Sequence, residues 1–439
     1  MNKRDLAKLY FLVVGALVLT GAVFAYGVYC GAKRNAVYLW ARDAMHLVKG
    51  SVSQTRMLLS ERPNPLLLPR AYPGDGVTLD ETGSDDLVLL VGLFGQDNGA
   101  RLIRRDGRVV NEWTLKFSEL MPDTGHIAFP PATDWNVTTH GAALLPDGSL
   151  VFNFEYCGLV KVDRSGRLVW TLDTMTHHSV ERAEAGGFWV PGRFYVYERE
   201  QEPGTLFPPP YAQDSILRVS EDGEILSDVS LWEIFNNSGL EALVTSTGHR
   251  IRQSMAWDKE MFHMNKIAEL SSDMADSFPQ FQAGDLLVSL RMYNMLFVVD
   301  PATWRVKWWK IGPWLRQHDP EFSADGRIAV FNNNMYKGGW PRDRFSDIMM
   351  FNPGTGECDV VYGGKASQPL FSDIRGKHEV LANGDVLITE YGRGRALQVN
   401  AEGRVVWEYV NGYDEESVGE LTEVRAYPAD YFQVQEWRQ

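Results

Sequence analysis

The sequence predicts an all-β fold: a six-bladed β-propeller preceded by an N-terminal transmembrane helix. Three observations carry that expectation. Residues 9–32 (LYFLVVGALVLTGAVFAYGVYCGA) form one uncharged run, longer than the about 20 residues a helix needs to cross a bilayer. From residue 87 a pattern recurs six times: short apolar or alternating strands, a turn with Asp, Asn or Gly, and a strand that often ends in Trp. Five of the six units open on a histidine: His140, His178, His263, His318 and His378.

The apolar run has a competing reading as a cleaved signal peptide. Such a peptide has an apolar core of about 7–15 residues and small residues at its cleavage site. This core is longer, and Tyr29 precedes Cys30 where a lipoprotein signal would carry a small residue. An uncleaved anchor is the better fit. Lys3, Arg4 and Lys8 precede the run and Lys33 and Arg34 follow it, so the positive-inside count is nearly balanced. We take the N-terminus as cytoplasmic. That makes the chain a single-pass inner-membrane protein with its bulk facing the periplasm.

Residues 35–60 place apolar side chains at roughly helical spacing, and Pro63, Pro65, Pro69 and Pro73 then stop the pattern. The expected domains are therefore 1–34, a membrane anchor; 35–75, a juxtamembrane helix and Pro-rich linker; and 76–439, the propeller.

The repeat units run 87–113, 140–170, 177–226, 263–309, 318–362 and 378–410. Units of this size, each worth about four short strands, are the signature of a propeller. One unit cannot bury both faces of its sheet; neighbouring blades packed face to face can. The apolar runs Leu87–Val91 and Ile328–Phe331 suit strands buried on both faces. Residues 200–212 and 336–345 break the strand pattern with Pro and Gly and are expected on a blade rim. The segment Leu421–Phe432 is expected to close the ring against residues 78–94.

Composition excludes some functions. A net charge of −14 argues against nucleic acid, whose phosphates need clustered Lys and Arg. Three cysteines are too few for a disulfide-rich scaffold. Cys157 and Cys358 lie in different units and are expected as free thiols.

In a propeller the innermost strand of each blade lines the central channel. A residue type repeated at the entrance to that strand forms a ring around the axis. Of nine histidines in the chain, five fall at this position. A repeated histidine also has a structural use, bridging blades through its two ring nitrogens, and this is the better reading of His140 and His178 taken alone. No compact H-x-x-x-H or carboxylate–histidine spacing is present, so no metal is expected.

The stretches Trp257–Ile267 (WDKEMFHMNKI), Gly284–Arg291 (GDLLVSLR), Gly312–Phe322 (GPWLRQHDPEF) and Gly326–Asn333 (GRIAVFNN), with those around His140 and His178, resemble the bacterial arylsulfotransferase family. The resemblance covers roughly residues 80–430. Members are six-bladed propellers that work outside the cytoplasm. They move a sulfuryl group from an aryl sulfate to a phenol without a nucleotide donor, in keeping with the lack of a phosphate-cradling Gly-rich loop.

By that resemblance His378, in Lys377-His378-Glu379, matches the histidine that attacks sulfur and carries the group. His263 and His318 match histidines that bind the sulfuryl oxygens. His140, His178 and Asn265 join them as substrate-binding residues. The family also uses an arginine, which does not align cleanly here; Arg291, Arg344 and Arg395 are its candidates, with Arg342 beside Arg344. The implied partners are a small aryl sulfate and a phenol, with no cofactor. The alternative function is a non-catalytic, membrane-anchored propeller that binds a ligand or a partner protein.

Overall fold

A computed structural model describes the chain apart from residues 1–2, most of 34–58, 128–129, 203, 206, 208, 246–260, 336–344 and 438–439. The chain divides into two compact units, Met1–Glu61 and Arg62–Gln439.

In the first unit Lys3–Lys33 is one α-helix. Its stretch Arg4–Lys33 is long and apolar enough to cross a membrane, a test that a signal sequence near an N-terminus also passes. The expected juxtamembrane helix falls for the most part outside the described residues.

The second unit is a ring of six antiparallel sheets, five of four strands and one of five. Each blade is an up-and-down meander. The innermost strands are Leu421–Tyr427 (blade 1), Thr139–Leu144 (blade 2), Glu181–Arg182 (blade 3), Met264–Glu269 (blade 4), His318–Phe322 (blade 5) and Lys377–Val380 (blade 6). Each of these touches the next, and blade 6 returns to blade 1, so the ring is closed.

Both ends of the chain fasten the closure. The C-terminal strand Leu421–Tyr427 pairs with Leu87–Phe94 and becomes the inner strand of the first blade. The early strand Gly76–Asp80 pairs with Val405–Val410 as the outermost strand of the last blade. The innermost strands remain edge strands of their sheets, but closure leaves these edges short and protected inside the ring.

The core explains why alternation is weak in the sequence. Six hydrophobic clusters each fill one blade–blade interface. Leu87, Leu89 and Val91 pack with Phe152 and Phe154 toward blade 2, while Val88 and Leu90 pack with Trp407 toward blade 6. Successive residues of one strand thus serve opposite interfaces, and every residue of Leu87–Phe94 is buried. The same division recurs in blade 4, where Leu286 and Val288 face blade 3 and Leu287 faces blade 5.

Candidate active site

A shared register sets the site. In blades 2, 3 and 5 the first turn ends on a left-handed glycine: Gly148 (φ 86°), Gly186 (φ 85°) and Gly326 (φ 81°). Each glycine N–H closes the turn onto the carbonyl three residues before it, Leu145, Ala183 and Ser323. Counting back eight residues from each glycine gives His140, His178 and His318. In blade 6 the matching glycine is Gly384 (φ 85°), and eight residues before it stands Gly376; His378 lies two residues further in.

Bulges reinforce the difference. The innermost strands of blades 1, 2, 4 and 5 each carry an extra residue near their start. Such bulges re-aim side chains beside functional sites. The inner strand of blade 6 pairs without interruption from Lys377↔Thr389 to Val380↔Val386. The structure therefore gathers four of the five blade-leading histidines and leaves His378 outside the group.

His178 is the centre of that group. Its ring centroid lies 4.7 Å from His140, 4.9 Å from His177, 5.0 Å from His263 and 6.2 Å from His318. One ring nitrogen from each of His178, His263 and His318 falls within 4.8 Å of the others. All of these histidines are buried. Backbone strain concentrates here: Tyr156, His178, His263, Asp319 and Arg375 have φ of 60°, 60°, 52°, 49° and 56°. A non-glycine residue in this region costs roughly 1–2 kcal/mol, which neighbouring contacts offset.

Some of those contacts cross blades and others lie within one. Asp214 accepts the Met264 N–H at 2.8 Å, fixing the chain just after His263, and accepts Arg193 Nε at 2.8 Å. Asn265 Nδ2 donates to the Gln317 carbonyl at 2.8 Å, so it ties the residue before His318 to blade 4. Arg291 follows the strand Leu286–Leu290 and its N–H donates to the His263 carbonyl at 3.1 Å. His318 Nδ1 lies 2.6 Å from Asn333 Oδ1.

Burial holds the imidazoles of His140, His178 and His318 neutral. Burial pushes His140 down to about 4, although Glu155 opposes the shift. Burial, then the neighbouring His140 and His177, hold His178 well below the usual histidine range. Burial, then the charge of Arg291, do the same to His318.

A second, ionic layer includes His378. Lys266 Nζ lies 3.3 Å from Glu181 Oε2, 3.3 Å from Asp319 Oδ1 and 3.4 Å from Glu321 Oε1. Arg425 Nη1 pairs with Glu321 at 2.6 Å and its Nε with Glu423 at 2.9 Å. The His378 N–H donates to Asp319 Oδ2 at 2.9 Å, while among the described residues neither of its ring nitrogens has a hydrogen-bond partner. Inner strands of blades 1, 3, 4, 5 and 6 all contribute to this layer or to the Lys377–Glu423 pair beside it.

A family model described as Arylsulfotransferase (ASST) matches residues 141–412. This chain belongs to the arylsulfotransferase family. The matched span takes in His178, His263, Asn265, Arg291, His318 and His378 and begins one residue after His140. Membership supports a sulfotransferase activity and small aryl substrates. No curated protein matches the chain significantly. Among solved structures it is similar to a protein of unknown function from Bacteroides caccae, with TM-score 0.46 and 14% identity over 78% of this chain and 99% of that one. It is similar also to virginiamycin B lyase from Staphylococcus aureus (TM-score 0.40, 12% identity, 81% and 98% covered). A third is hydrazine synthase from Kuenenia stuttgartiensis (TM-score 0.43, 11% identity, 78% of each chain). None of these three likenesses carries a functional argument.

The remaining expected residues divide. Arg291 stands close enough to His318 to depress it. Arg395 sits in the third strand of blade 6, paired with Glu390 at 2.6 Å and Glu408 at 3.0 Å and stacked 3.8 Å over Tyr72; the structure does not bring it to the histidines. Arg344, like Arg342, lies outside the described residues.

Three residues beside the histidines were missed from sequence. Glu155 Oε1 approaches His140 Nδ1 at 3.4 Å and His178 Nε2 at 4.0 Å. Arg375 bridges Glu155 at 2.6 Å and Glu420 at 3.1 Å. Asn333 contacts His318. The signal for Arg375 was its position just before Gly376, the residue that takes the histidine's place in blade 6.

Proposed function

We propose that the protein moves a sulfuryl group from an aryl sulfate to a phenolic acceptor through a covalent sulfohistidine, with no nucleotide donor. The observation that carries this reading is the meeting of His178, His263 and His318 beside Arg291 in a chain of the arylsulfotransferase family. A neutral imidazole is a usable nucleophile near pH 7. A ring nitrogen attacks sulfur as the aryl S–O bond breaks, and the phenolate leaves with the electron pair. The acceptor phenol then attacks sulfur, the N–S bond breaks, and the phenolic proton passes to solvent or to the departed phenolate. Donors aimed at the sulfuryl oxygens stabilise the charge that develops.

Electrostatics favour His318 as the carrier over His378. An aryl sulfate is an anion. His318 has Arg291 beside it, whereas the cations near His378, Arg425 and Lys266, are already paired with the carboxylates of Glu321 and Asp319 that also face it. His178, His263 and Arg291 then serve as the groups that hold the sulfuryl oxygens, with Asn265 keeping the two blades in register. The apolar helix Arg4–Lys33 serves as a single-pass inner-membrane anchor, and the propeller faces the periplasm.

A second reading rests on the same three nitrogens lying within 4.8 Å: a three-histidine metal centre. Elemental analysis of the purified protein separates the two, since stoichiometric transition metal would favour the second. The primary test is incubation with a chromogenic aryl sulfate, with and without a phenol. Release of the phenolate that accelerates with acceptor supports transfer. A folded protein that turns over no aryl sulfate would point to the non-catalytic, ligand-binding propeller.

A further inference from the structure

We propose that Asn333 is a positioning residue that fixes His318 in the tautomer protonated at Nδ1, leaving Nε2 as its nucleophilic nitrogen. The role rests on the proposed transfer through His318.

The argument is a count of donors and acceptors. Asn333 follows the strand Ile328–Asn332 and is fully buried. Its Nδ2 donates to the Ser372 carbonyl at 2.9 Å and to the Arg375 carbonyl at 2.7 Å. Carbonyl oxygens only accept, so the amide nitrogen must face them, and both its hydrogens are used. The amide oxygen is then turned toward His318 Nδ1, 2.6 Å away. That oxygen also only accepts, so Nδ1 must carry the proton. The Arg316 carbonyl, 3.2 Å from the same Nδ1, makes the same demand. In a neutral ring the lone pair is then on Nε2.

The amide cannot flip at low cost. Its two acceptors are anchored: Ser372 N–H donates to Ser346 Oγ at 3.0 Å, and Ser346 Oγ donates back to the Ser372 carbonyl at 3.1 Å. Arg375 is held by Glu155 and Glu420. A flipped amide would set its oxygen against two carbonyl oxygens in a buried site. Burial and Arg291 keep the ring neutral, so one tautomer or the other must be chosen at pH 7.

The test reads the tautomer directly. Full-length protein in detergent, labelled with ¹⁵N-histidine, gives long-range imidazole correlations, and loss of signals in His318→Gln assigns His318. The expected wild-type state is protonated at Nδ1 and bare at Nε2. Asn333→Ala should give mixed tautomers and lower kcat by roughly 10–100-fold, the usual scale for removing an outer-shell partner, with little change in KM. Asn333→Asp keeps an acceptor for Nδ1 but sets its second oxygen against the Ser372 and Arg375 carbonyls, so it should retain the tautomer at a cost in stability. A wild-type His318 protonated at Nε2 overturns the proposal, and this result needs no variant to fold. So does an Asn333→Ala protein with wild-type tautomer and rate. An aryl-sulfate adduct that maps away from His318 would instead remove the carrier assignment; an adduct on His318 with a tautomer indifferent to Asn333 removes only the positioning role.

Discussion

The Nζ of Lys377 donates to the main-chain carbonyl of His178, 3.1 Å away across 199 positions of sequence. The same ammonium is paired with Glu423. One side chain from blade 6 therefore holds the strained backbone of His178 and a carboxylate of blade 1. Lys377 is 4% exposed and Glu423 1%, so neither charge has water to fall back on. Lys377→Met should destabilise the protein by less than the about 3–5 kcal/mol of a fully stranded buried charge, because Glu423 keeps its pair with Arg425. The double variant Lys377→Met, Glu423→Gln should recover much of that loss while leaving transfer impaired, since His178 still lacks its anchor. Denaturant unfolding and aryl sulfate turnover, measured together, separate the two effects.

The glycine that takes the histidine's place in blade 6 makes a second prediction. A Cβ on Gly376 (φ +85°) would lie 2.5 Å from Phe331 Cζ. Phe331 is itself the strand partner of His318, so the ring cannot yield without moving the site. Gly376→Ala combines a left-handed backbone, costing roughly 1–2 kcal/mol, with an overpacked core costing typically 1–3 kcal/mol more. A melting temperature equal to that of wild type would show that Phe331 has room the structure does not reveal.

The fold was legible because its signals are local. Turn glycines and short apolar runs recur along the units, several of which end in tryptophan, and each unit became one blade. The closing strand was also readable, since Leu421–Tyr427 has no partner of its own within the sixth unit. The site was legible only in part. His140, His178 and His318 can be aligned by their distance to the turn glycine, and by that count His378 falls out of step. Matching histidines by their order along the chain hides this. Glu155 was beyond reach, and the place of Arg375 before Gly376 does not reveal its partner: the two meet across 220 positions, and only closure of the ring brings blade 2 to the connection before blade 6. Asn333 reads as one more polar residue in Asn332-Asn333-Asn334 until its amide is seen between His318 and two carbonyls.

Substitution should sort the two candidate carriers. His318→Ala is expected to abolish covalent transfer, while His378→Ala should keep measurable turnover if the fold holds. Loss of a sulfuryl-binding donor in His263→Ala should cost on the order of 10²–10³ in rate. Trapping with aryl sulfate alone, followed by peptide mapping under non-acidic conditions, gives the direct answer. An adduct between Arg316 and Pro320 supports His318; one between Lys377 and Glu379 returns the role to His378.

The last prediction concerns stability and pH. Burial lowers His140 from 6.5 to about 4. Between those values the unfolded chain binds a proton at this residue and the folded protein does not, so stability falls as pH drops from 6.5 toward 4. At roughly 1.4 kcal/mol per pH unit the loss is on the order of 3 kcal/mol. Glu379 works in the other sense. Burial raises it from 4.5 to about 7, so the folded protein binds the extra proton and stability is lost as pH rises through 7. His177, His178, His318 and His378 are lowered by burial as well, which makes an acid-labile protein the expected net result. His140→Gln should therefore flatten the acid limb of the stability profile, and Glu379→Gln should steepen it between pH 4.5 and 7. Unfolding free energies at pH 4.5, 5.5, 6.5 and 7.5 are the measurement. Parallel profiles for wild type and His140→Gln would mean that His140 titrates in the folded protein as it does in the unfolded chain, and that water reaches the histidine cluster.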